Sequence, residues 1–456
     1  MMMHKKLIGA GAVALTLMSA SIMAAVSPEE AARLNKDLTP MGAERGASAD
    51  GTIPEWTGGL RKEYAPFLED GSLENPFADE QPLFTITAQN YEQYADKLSE
   101  GQIAMFKRFP ETYTMPIYPT HRTSTVPGEV LKQTFENATT VETVDGGNGL
   151  KNYSNIGSTP FPLPQTGVEA VWNHIVRYRG GSVKRTIVQI TPNNNGSFTP
   201  VKFEDEFTFS NKVSDYSGDV GNLLFYFKQR VVEPARLAGN VLLVHETIDQ
   251  VKQPRMAWVY NAGQRRVRRA PQVAYDGPGT ATDGLRTADN YDMYNGSPDR
   301  YNWELVGKKD MYIPYNNYDL YSKEHKYADI AKAGHIDPKF TRYELHRVWE
   351  VVGTLREDAR HIYAKRVMFL DEDTWQASVI DHFDGRGQLW RVAQSYNMQY
   401  YPIDTPWYAA ETLNDLLSGR YLLLGLQNEE SNGYQFGFDV SSKQYTPAAL
   451  RREGRR

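Results

Sequence analysis

Four arginines cluster around a single valine in a short stretch of the chain. Arg265, Arg266, Arg268 and Arg269 flank Val267. The planar fork of a guanidinium group binds carboxylates and phosphates. Alternation along a strand sends these side chains to both faces, and an inward one needs an acidic partner or an anionic ligand. The cluster therefore predicts a site for an anionic lipid head group; the alternatives are ion pairs with the following acidic loop and a solvated edge strand.

Large apolar side chains recur at every second position of several predicted strands. Such residues point to one side of their strand, where they line a ligand cavity or fill a packed core. The pattern leaves both readings open. The cavity candidates are Trp258, Tyr260, Trp303, Leu305, Trp349, Val351, Trp375 and Val379. Trp258 and Tyr260 lie directly beside the arginine cluster, so one amphipathic ligand could contact both groups.

Other reactive side chains form no recognisable catalytic arrangement. The nine histidines are scattered, and the sequence contains neither an HExxH helix nor a GxSxG nucleophile elbow. Five aspartates between residues 276 and 299 offer oxygen ligands for calcium, but their spacing does not match the twelve-residue calcium loop. We therefore expect no catalytic residue, metal site or cofactor. An enzyme that acts on a polysaccharide or lipid ester remains an alternative.

The composition narrows the class of protein. The 456 residues include no cysteine, and the formal net charge is -6. Disulfides, thiolate metal sites and a lipid-modified N-terminal cysteine are thereby excluded. The acidic balance argues against nucleic acid as a partner. Aromatic residues make up 12% of the chain, which favours β-strands.

Residues 1–24 have the pattern of a secretory signal peptide. Two lysines precede an apolar stretch at residues 7–18, and small residues follow, which is the order that such signals show. The stretch is short for a membrane span, which takes about 20 apolar residues. We predict cleavage near Ala24 or Ala25 and an exported, periplasmic mature protein.

The mature chain divides by its composition into an arm, a strand-rich region and a tail. Residues 25–130 begin with a helix and continue through a stretch rich in Gly and Pro with isolated aromatics, which predicts an extended arm that packs on a sheet. Residues 131–450 are rich in strand and turn patterns. Residues 451–456 form a basic tail.

Short turns separate most of the predicted strands, and sequential strands with short turns pair antiparallel. Residues 343–398 predict a meander of four strands. Residues 168–179 and 182–191 are predicted to be two further strands, whereas the Gly/Asp-rich residues 271–300 form a long loop that indicates function or flexibility. We expect an α+β, mainly β fold, with one large curved antiparallel sheet, covering helices and an extended N-terminal arm.

Three segments carry a specific combination of motifs. They are LTPMGAER with DGTIPEWTGG at residues 38–59, AWVY with QRRVRRAP and YD at residues 257–276, and NG with DRY, W and LVGK at residues 295–308. Together they resemble a family of Gram-negative periplasmic proteins of unknown function. Members of that family resemble the outer-membrane lipoprotein-sorting carriers LolA and LolB.

The resemblance implies an incomplete β-barrel in which residues 131–450 enclose an apolar cavity for acyl chains. It also implies a periplasmic carrier for a lipid or another hydrophobic compound, linked to outer-membrane transport. The implied partners are that ligand and an inner-membrane exporter or an outer-membrane protein. An adaptor that joins a transporter to an outer-membrane partner is the other alternative.

Overall fold

The computed structural model describes residues 25–271 and 273–453. The predicted signal peptide and the last three residues of the basic tail lie outside these described residues. Among the described helices, none combines the length and apolar character that a membrane crossing needs.

The described residues form many strands and a few short helices. The strands are β1 (Phe84–Ile86), β2 (Met115–Ile117), β3 (Glu142–Val144), β4 (Gly149–Lys151), β5 (Ser182–Ile190), β6 (Val201–Phe209), β7 (Leu223–Glu233), β8 (Val241–Thr247), β9 (Met256–Asn261), β10 (Arg266–Arg269), β11 (Tyr301–Pro314), β12 (Tyr343–Leu355), β13 (Lys365–Asp371), β14 (Ala377–Phe383), β15 (Leu389–Tyr400), β16 (Thr405–Asp415), β17 (Tyr421–Leu426) and β18 (Gln435–Phe436). The α-helices are α1 (Pro28–Ala31), α2 (Glu100–Arg108), α3 (Gly128–Asn137), α4 (Gly167–Val176), α5 (Tyr318–Tyr321), α6 (Tyr327–Ile330) and α7 (Pro447–Glu453).

Sixteen of the strands belong to one sheet. Strands β12 to β17 follow one another in sequence order, and β5 to β10 continue the sheet beyond β17. Strand β11 pairs with β12, so that β11 and β10 lie at opposite ends, and within the described residues they do not pair to close a barrel. The pairings are antiparallel apart from one parallel contact between β2 and β12. The predicted fold class and the meander are therefore confirmed.

The helix α4 replaces a strand that the sequence predicts. Thr166 and Glu169 form a capping box at its first turn, which is a strong start signal for a helix. Every residue of α4 except Val168 is buried, so the helix is enclosed on nearly all sides. Its polar residues Glu169, Asn173 and His174 are buried as well, and the periodicity of a fully buried segment does not distinguish a helix from a strand. The strand prediction for residues 168–179 is wrong for this reason.

The N-terminal arm lies extended across the main sheet, as predicted. The Trp56 indole N–H donates to the carbonyl of Ser124 at 3.2 Å. The backbone N–H of Lys62 donates to Asp404 at 3.0 Å. Since these bonds reach the loop before α3 and the turn between β15 and β16, the arm is held along its length.

Residues 273–300, here called the strap, run across one face of the sheet. Near the middle of the strap, Asp292 accepts hydrogen bonds from Arg177 and Arg179, which directly follow α4. Burial alone would raise the pKa of Asp292, but the two guanidinium charges hold that pKa at about 2. The strap is thereby fixed to the end of α4 by a buried cluster of opposite charges.

The sheet face under the strap, here called the strap face, carries polar side chains that the strap pairs. Arg366, His382 and Arg391 are successive cross-strand partners, and such partners share a face. Asp289 accepts from Arg366 at 2.7 Å, and the Asn290 amide donates to His382 at 2.8 Å. Arg391 donates to two strap carbonyls at 2.9 and 3.0 Å. The strap therefore supplies hydrogen-bond partners to buried polar groups of this face.

The opposite face of β14 and β15 is covered by α2. Asp381 accepts hydrogen bonds from the Ser99 hydroxyl at 3.0 Å and from the backbone N–H of Gly101 at 2.9 Å. A Cβ atom at Gly101 would lie 2.1 Å from Asp381, so only glycine permits this approach. Burial raises the pKa of Asp381 to about 7, against the effect of both hydrogen bonds.

Replacing Asp292 by asparagine should cost about 3–5 kcal/mol of unfolding free energy, because two buried guanidinium groups lose their counter-charge. Urea denaturation followed by circular dichroism measures this loss. The matched control is Asp283→Asn in the same strap, where the exposed carboxylate lies 3.0 Å from Arg420 and should contribute less than about 1 kcal/mol. Equal losses for the two variants would contradict the anchoring role of Asp292.

Replacing Asp381 by asparagine should remove a pH dependence of stability. The folded-state pKa of about 7 lies above the ordinary value of 3.8, so the folded protein binds the extra proton between these values. Its stabilising contribution is complete below about pH 4 and is lost as the pH rises through 7, at up to about 1.4 kcal/mol per pH unit. In urea denaturation at pH 5 to 8, the stability of Asp381→Asn relative to the wild type should therefore rise with pH. The exposed control Asp358→Asn should show the same pH dependence of stability as the wild type. If Asp381→Asn also shows the wild-type pH dependence, the raised pKa of Asp381 is contradicted.

Candidate hydrophobic-ligand site

A cavity of about 70 Å³ lies between strands β6 to β8 and the strap. The sheet supplies an apolar wall, and the strap supplies the cover. The lining residues from the sheet and from the end of α4 are Arg179, Phe207, Phe225, Phe227, Gln229, Leu242, Val244 and Arg255. Those from the strap are Val273, Pro278, Gly279, Thr280, Arg286, Ala288, Tyr291 and Asn295.

The register of the strands explains why the sheet wall is apolar. Phe207 pairs with Phe227, and Phe227 pairs with Val244. Because cross-strand partners share a face, the three side chains form one continuous row. The Phe207 and Phe225 rings add an aromatic contact with centroids 4.8 Å apart.

Three arginines reach the cavity, and they differ in their partners. Arg179 pairs with Asp292 and lies over the Phe207 ring, 4.6 Å from its centroid. Arg255 pairs with Glu246. Arg286 belongs to the strap. It lies 5.3 Å from the centroid of the Tyr291 ring and forms no ion pair with any described carboxylate.

The lining is apolar on the sheet side and carries a few polar groups. The described lining residues with polar side chains are Arg179, Gln229, Arg255, Thr280, Arg286, Tyr291 and Asn295. An apolar wall with a few polar groups at one side is typical of sites that bind small molecules.

The structure places Trp258 and Tyr260 on the other side of the sheet from this cavity. Their cross-strand partners are Leu243 and Val241, which pack with them against α7 and the residues just before it. Tyr260 is fully buried there. Since neighbouring residues of a strand face opposite sides, the cavity receives the alternate set of side chains, represented by Leu242.

Four other candidates lie together on β11 and β12. The register pairs Trp303 with Gly353 and Leu305 with Val351, and the Trp303 indole N–H donates to the strap carbonyl of Pro298 at 2.9 Å. Trp349 lies further along β12 and lines an open groove of about 720 Å³ beside the N-terminal arm.

Trp375 and Val379 do not share one side of β14. A bulge shifts the register so that Ala377 pairs with Leu370 and Val379 pairs with Phe369. Leu370 and Phe369 are adjacent and face opposite sides, so Val379 lies on the side away from Ala377. Trp375 stacks on Trp349, and its indole N–H donates to the carbonyl of Met41 at 3.0 Å.

The arginine cluster forms the exposed outer strand of the sheet. Arg265, Arg266, Arg268 and Arg269 are all exposed, and they form no ion pair with the described part of the strap. Arg269 lies 5.6 Å from the centroid of the Trp258 ring. A charged outer strand protects a sheet edge against pairing with another chain. The predicted role of these arginines and of the eight apolar candidates in ligand binding stays a prediction, and none of the twelve lines the 70 Å³ cavity.

Part of the cavity wall had a signal in the sequence. Phe225 and Phe227 stand at period two within a predicted strand, and Leu242 and Val244 repeat the pattern in the next one. Arg286 stands alone in a Gly/Asp-rich loop, where nothing in the local sequence distinguishes it from a solvated residue.

One group of described residues has the composition of a metal site. Single ligand atoms of His346, Asp371 and Asp373 lie within 4.8 Å of one another. However, both carboxylate oxygens of Asp373 accept from Arg122, at 2.7 and 2.9 Å. A guanidinium charge therefore already compensates this cluster.

The comparisons with known proteins agree with the resemblance found in the sequence. The uncharacterized protein PA3922 of Pseudomonas aeruginosa is 61% identical over 451 residues, which cover 99% of each chain. Among solved structures, a DUF1329 family protein from Desulfovibrio piger has a TM-score of 0.38 and 15% identity, over 60% of this chain and 92% of that one. The LolA superfamily protein NE2245 from Nitrosomonas europaea has a TM-score of 0.38 and 12% identity, over 62% of this chain and 98% of that one.

A family model completes these comparisons. The family described as "Protein of unknown function (DUF1329)" matches residues 85–451, which span the main sheet, the strap and the cavity. Together with the full-length relative, this match shows that the chain belongs to the DUF1329 family.

Proposed function

We propose that the protein is a periplasmic binding protein that carries a hydrophobic compound between the aromatic strands and the strap. The observation that carries the proposal is the apolar row formed by Phe207, Phe227 and Val244 beneath a cover made of loop. Packed cores leave few voids larger than a water molecule. The cavity lies on the apolar part of the strap face, which is charged elsewhere. Its presence there therefore supports a role in binding a hydrophobic ligand.

The size of the cavity defines how a ligand enters. One water molecule needs a cavity volume of about 10–15 Å³. The cavity volume of 70 Å³ therefore accommodates only a few carbon atoms. A longer chain requires a shift of the strap segment 278–288, which carries most of the cover. Hydrogen exchange of residues 278–288 should therefore change when an apolar ligand binds, while exchange around Asp292 stays slow.

Export and delivery are parts of the same proposal. The pattern of residues 1–24 supports passage into the periplasm, and the family resemblance supports exchange of the ligand with an exporter or an outer-membrane protein. Intact mass of protein recovered from the periplasm should correspond to a chain that begins at Ala25 or Val26. Recovery of the full-length chain in the membrane fraction would contradict this localisation.

Filling the cavity should abolish binding of an apolar probe. Leu242→Trp places an indole in the space that the ligand needs, so the affinity for the neutral dye N-phenyl-1-naphthylamine should fall at least about tenfold, or by about 1.4 kcal/mol. Dye fluorescence in a titration measures the affinity, and circular dichroism verifies folding.

The matched control for this test is Val267→Trp. Val267 packs in the cluster beneath α7, on the side of the sheet away from the cavity, so its variant should bind the dye like the wild type. Unchanged binding by Leu242→Trp, or the same loss in both variants, would show that the cavity is not the binding site.

A further inference from the structure

Arg286 is a buried cation without a counter-charge. It is 6% exposed and lines the cavity from the strap side. Within the described residues, its Nε and Nη1 atoms have no hydrogen-bond partner, and no carboxylate lies within ion-pair distance. Its nearest aromatic neighbour is Tyr291, whose ring centroid lies 5.3 Å away. An uncompensated charge at this depth is costly, so the site lacks an anion.

The acids around the cavity are engaged elsewhere. Asp292 pairs with Arg177 and Arg179, and Asp205 pairs with Arg185 at 3.2 Å. Neither of these two acids is therefore free to compensate the charge of Arg286.

Glu411 is the remaining acid close enough to influence Arg286. Burial, followed by the charge of Asp292, raises the pKa of Glu411 to about 8. The raised pKa favours the neutral form of this carboxyl group, and no ion pair between described residues joins it to Arg286.

We infer that Arg286 binds the oxyanion head of an amphipathic ligand whose apolar tail lies along Phe225, Phe227 and Leu242. The inference rests on the proposed function and adds the chemical class of the ligand. The guanidinium fork matches a carboxylate or a phosphate. Head and tail contacts are adjacent, because Arg286 and the aromatic wall line the same cavity.

Displacement of the bound neutral dye by three ligands with the same tail tests the inference. The ligands are octanoate, octyl phosphate and octan-1-ol. In the wild type, at least one anion should displace the dye at a concentration about tenfold or more below that of the alcohol. The stronger of the two anions identifies the head as a carboxylate or a phosphate.

The decisive variant is Arg286→Met, which keeps an unbranched, flexible stem and removes the charged guanidinium group. Affinity for the preferred anion should fall about ten- to a hundredfold, because a charge-assisted contact is lost, whereas the affinity for octan-1-ol should change less than about twofold. The urea midpoint of Arg286→Met should rise, because an unpaired buried charge is removed; the loss of binding is then not a loss of folding. Arg286→Lys keeps the charge without the fork and should retain part of the preference.

The matched control is Arg266→Met on the exposed strand β10, which should bind all three ligands like the wild type. Loss of the anion preference in Arg266→Met but not in Arg286→Met would move the head group to the sheet edge and overturn the inference. Equal losses for anion and alcohol in Arg286→Met, or no loss at all, would also overturn it while the proposed function stands. If the wild type binds neither the dye nor any of the three ligands, the proposed function itself fails.

Discussion

The contact of Asp292 with Arg177 and Arg179 is the interaction on which the arrangement of the strap depends. All three side chains are at most 4% exposed, and the carboxylate lies 113 and 115 residues along the chain from its two partners. Isolated charges at such depth destabilise a fold strongly, whereas a compensated set is tolerated. The cluster therefore fixes the strap to the end of α4, and the strap can reach the rest of the sheet only from that fixed point.

Once fixed, the strap provides the hydrogen-bond partners that the sheet lacks. Arg366 and Arg391 point from the strap face and find Asp289 and two backbone carbonyls there. Without the strap Arg366 would lose its carboxylate partner, and Arg391 would keep only Asp415 and Tyr363. A buried polar group that loses its partner lowers the free energy of unfolding. The strap face therefore has two kinds of zone. Charged zones position the strap, and an apolar zone on β6 to β8 borders the cavity beneath it. Arg286 is the exception, since it brings a charge into the apolar zone with no protein partner.

The sequence predicted the parts of the fold that depend on local patterns. The meander at 343–398 follows from alternation and turn residues, which act over a few positions. The sequence missed α4, in which polar and apolar residues alike are buried, so that no solvent-facing side marks the helical period. It identified the strap only as a loop, because its Gly/Asp composition is that of solvated chain. For the site, alternation correctly placed Trp258 and Tyr260 on one face of their strand. The position of α7, nearly 190 residues later in the chain, decides which face of the sheet borders the cavity. The local sequence does not contain the position of α7.

The distribution of contacts along the strap indicates how the cavity opens. Around Asp289 and Asp292 the strap is fixed by buried ion pairs, which water cannot easily replace. Further toward its N-terminal end, Gln189 donates to the carbonyls of Thr280 and Ala281, and neutral bonds of this kind exchange for water at little net cost. Local opening takes place where stability is lowest. The cover should therefore lift first at the Thr280 end, ahead of the Gly284 and Leu285 carbonyls that Arg391 holds, while Asp292 stays in place. A ligand then enters near Arg286 with its tail directed toward the aromatic wall.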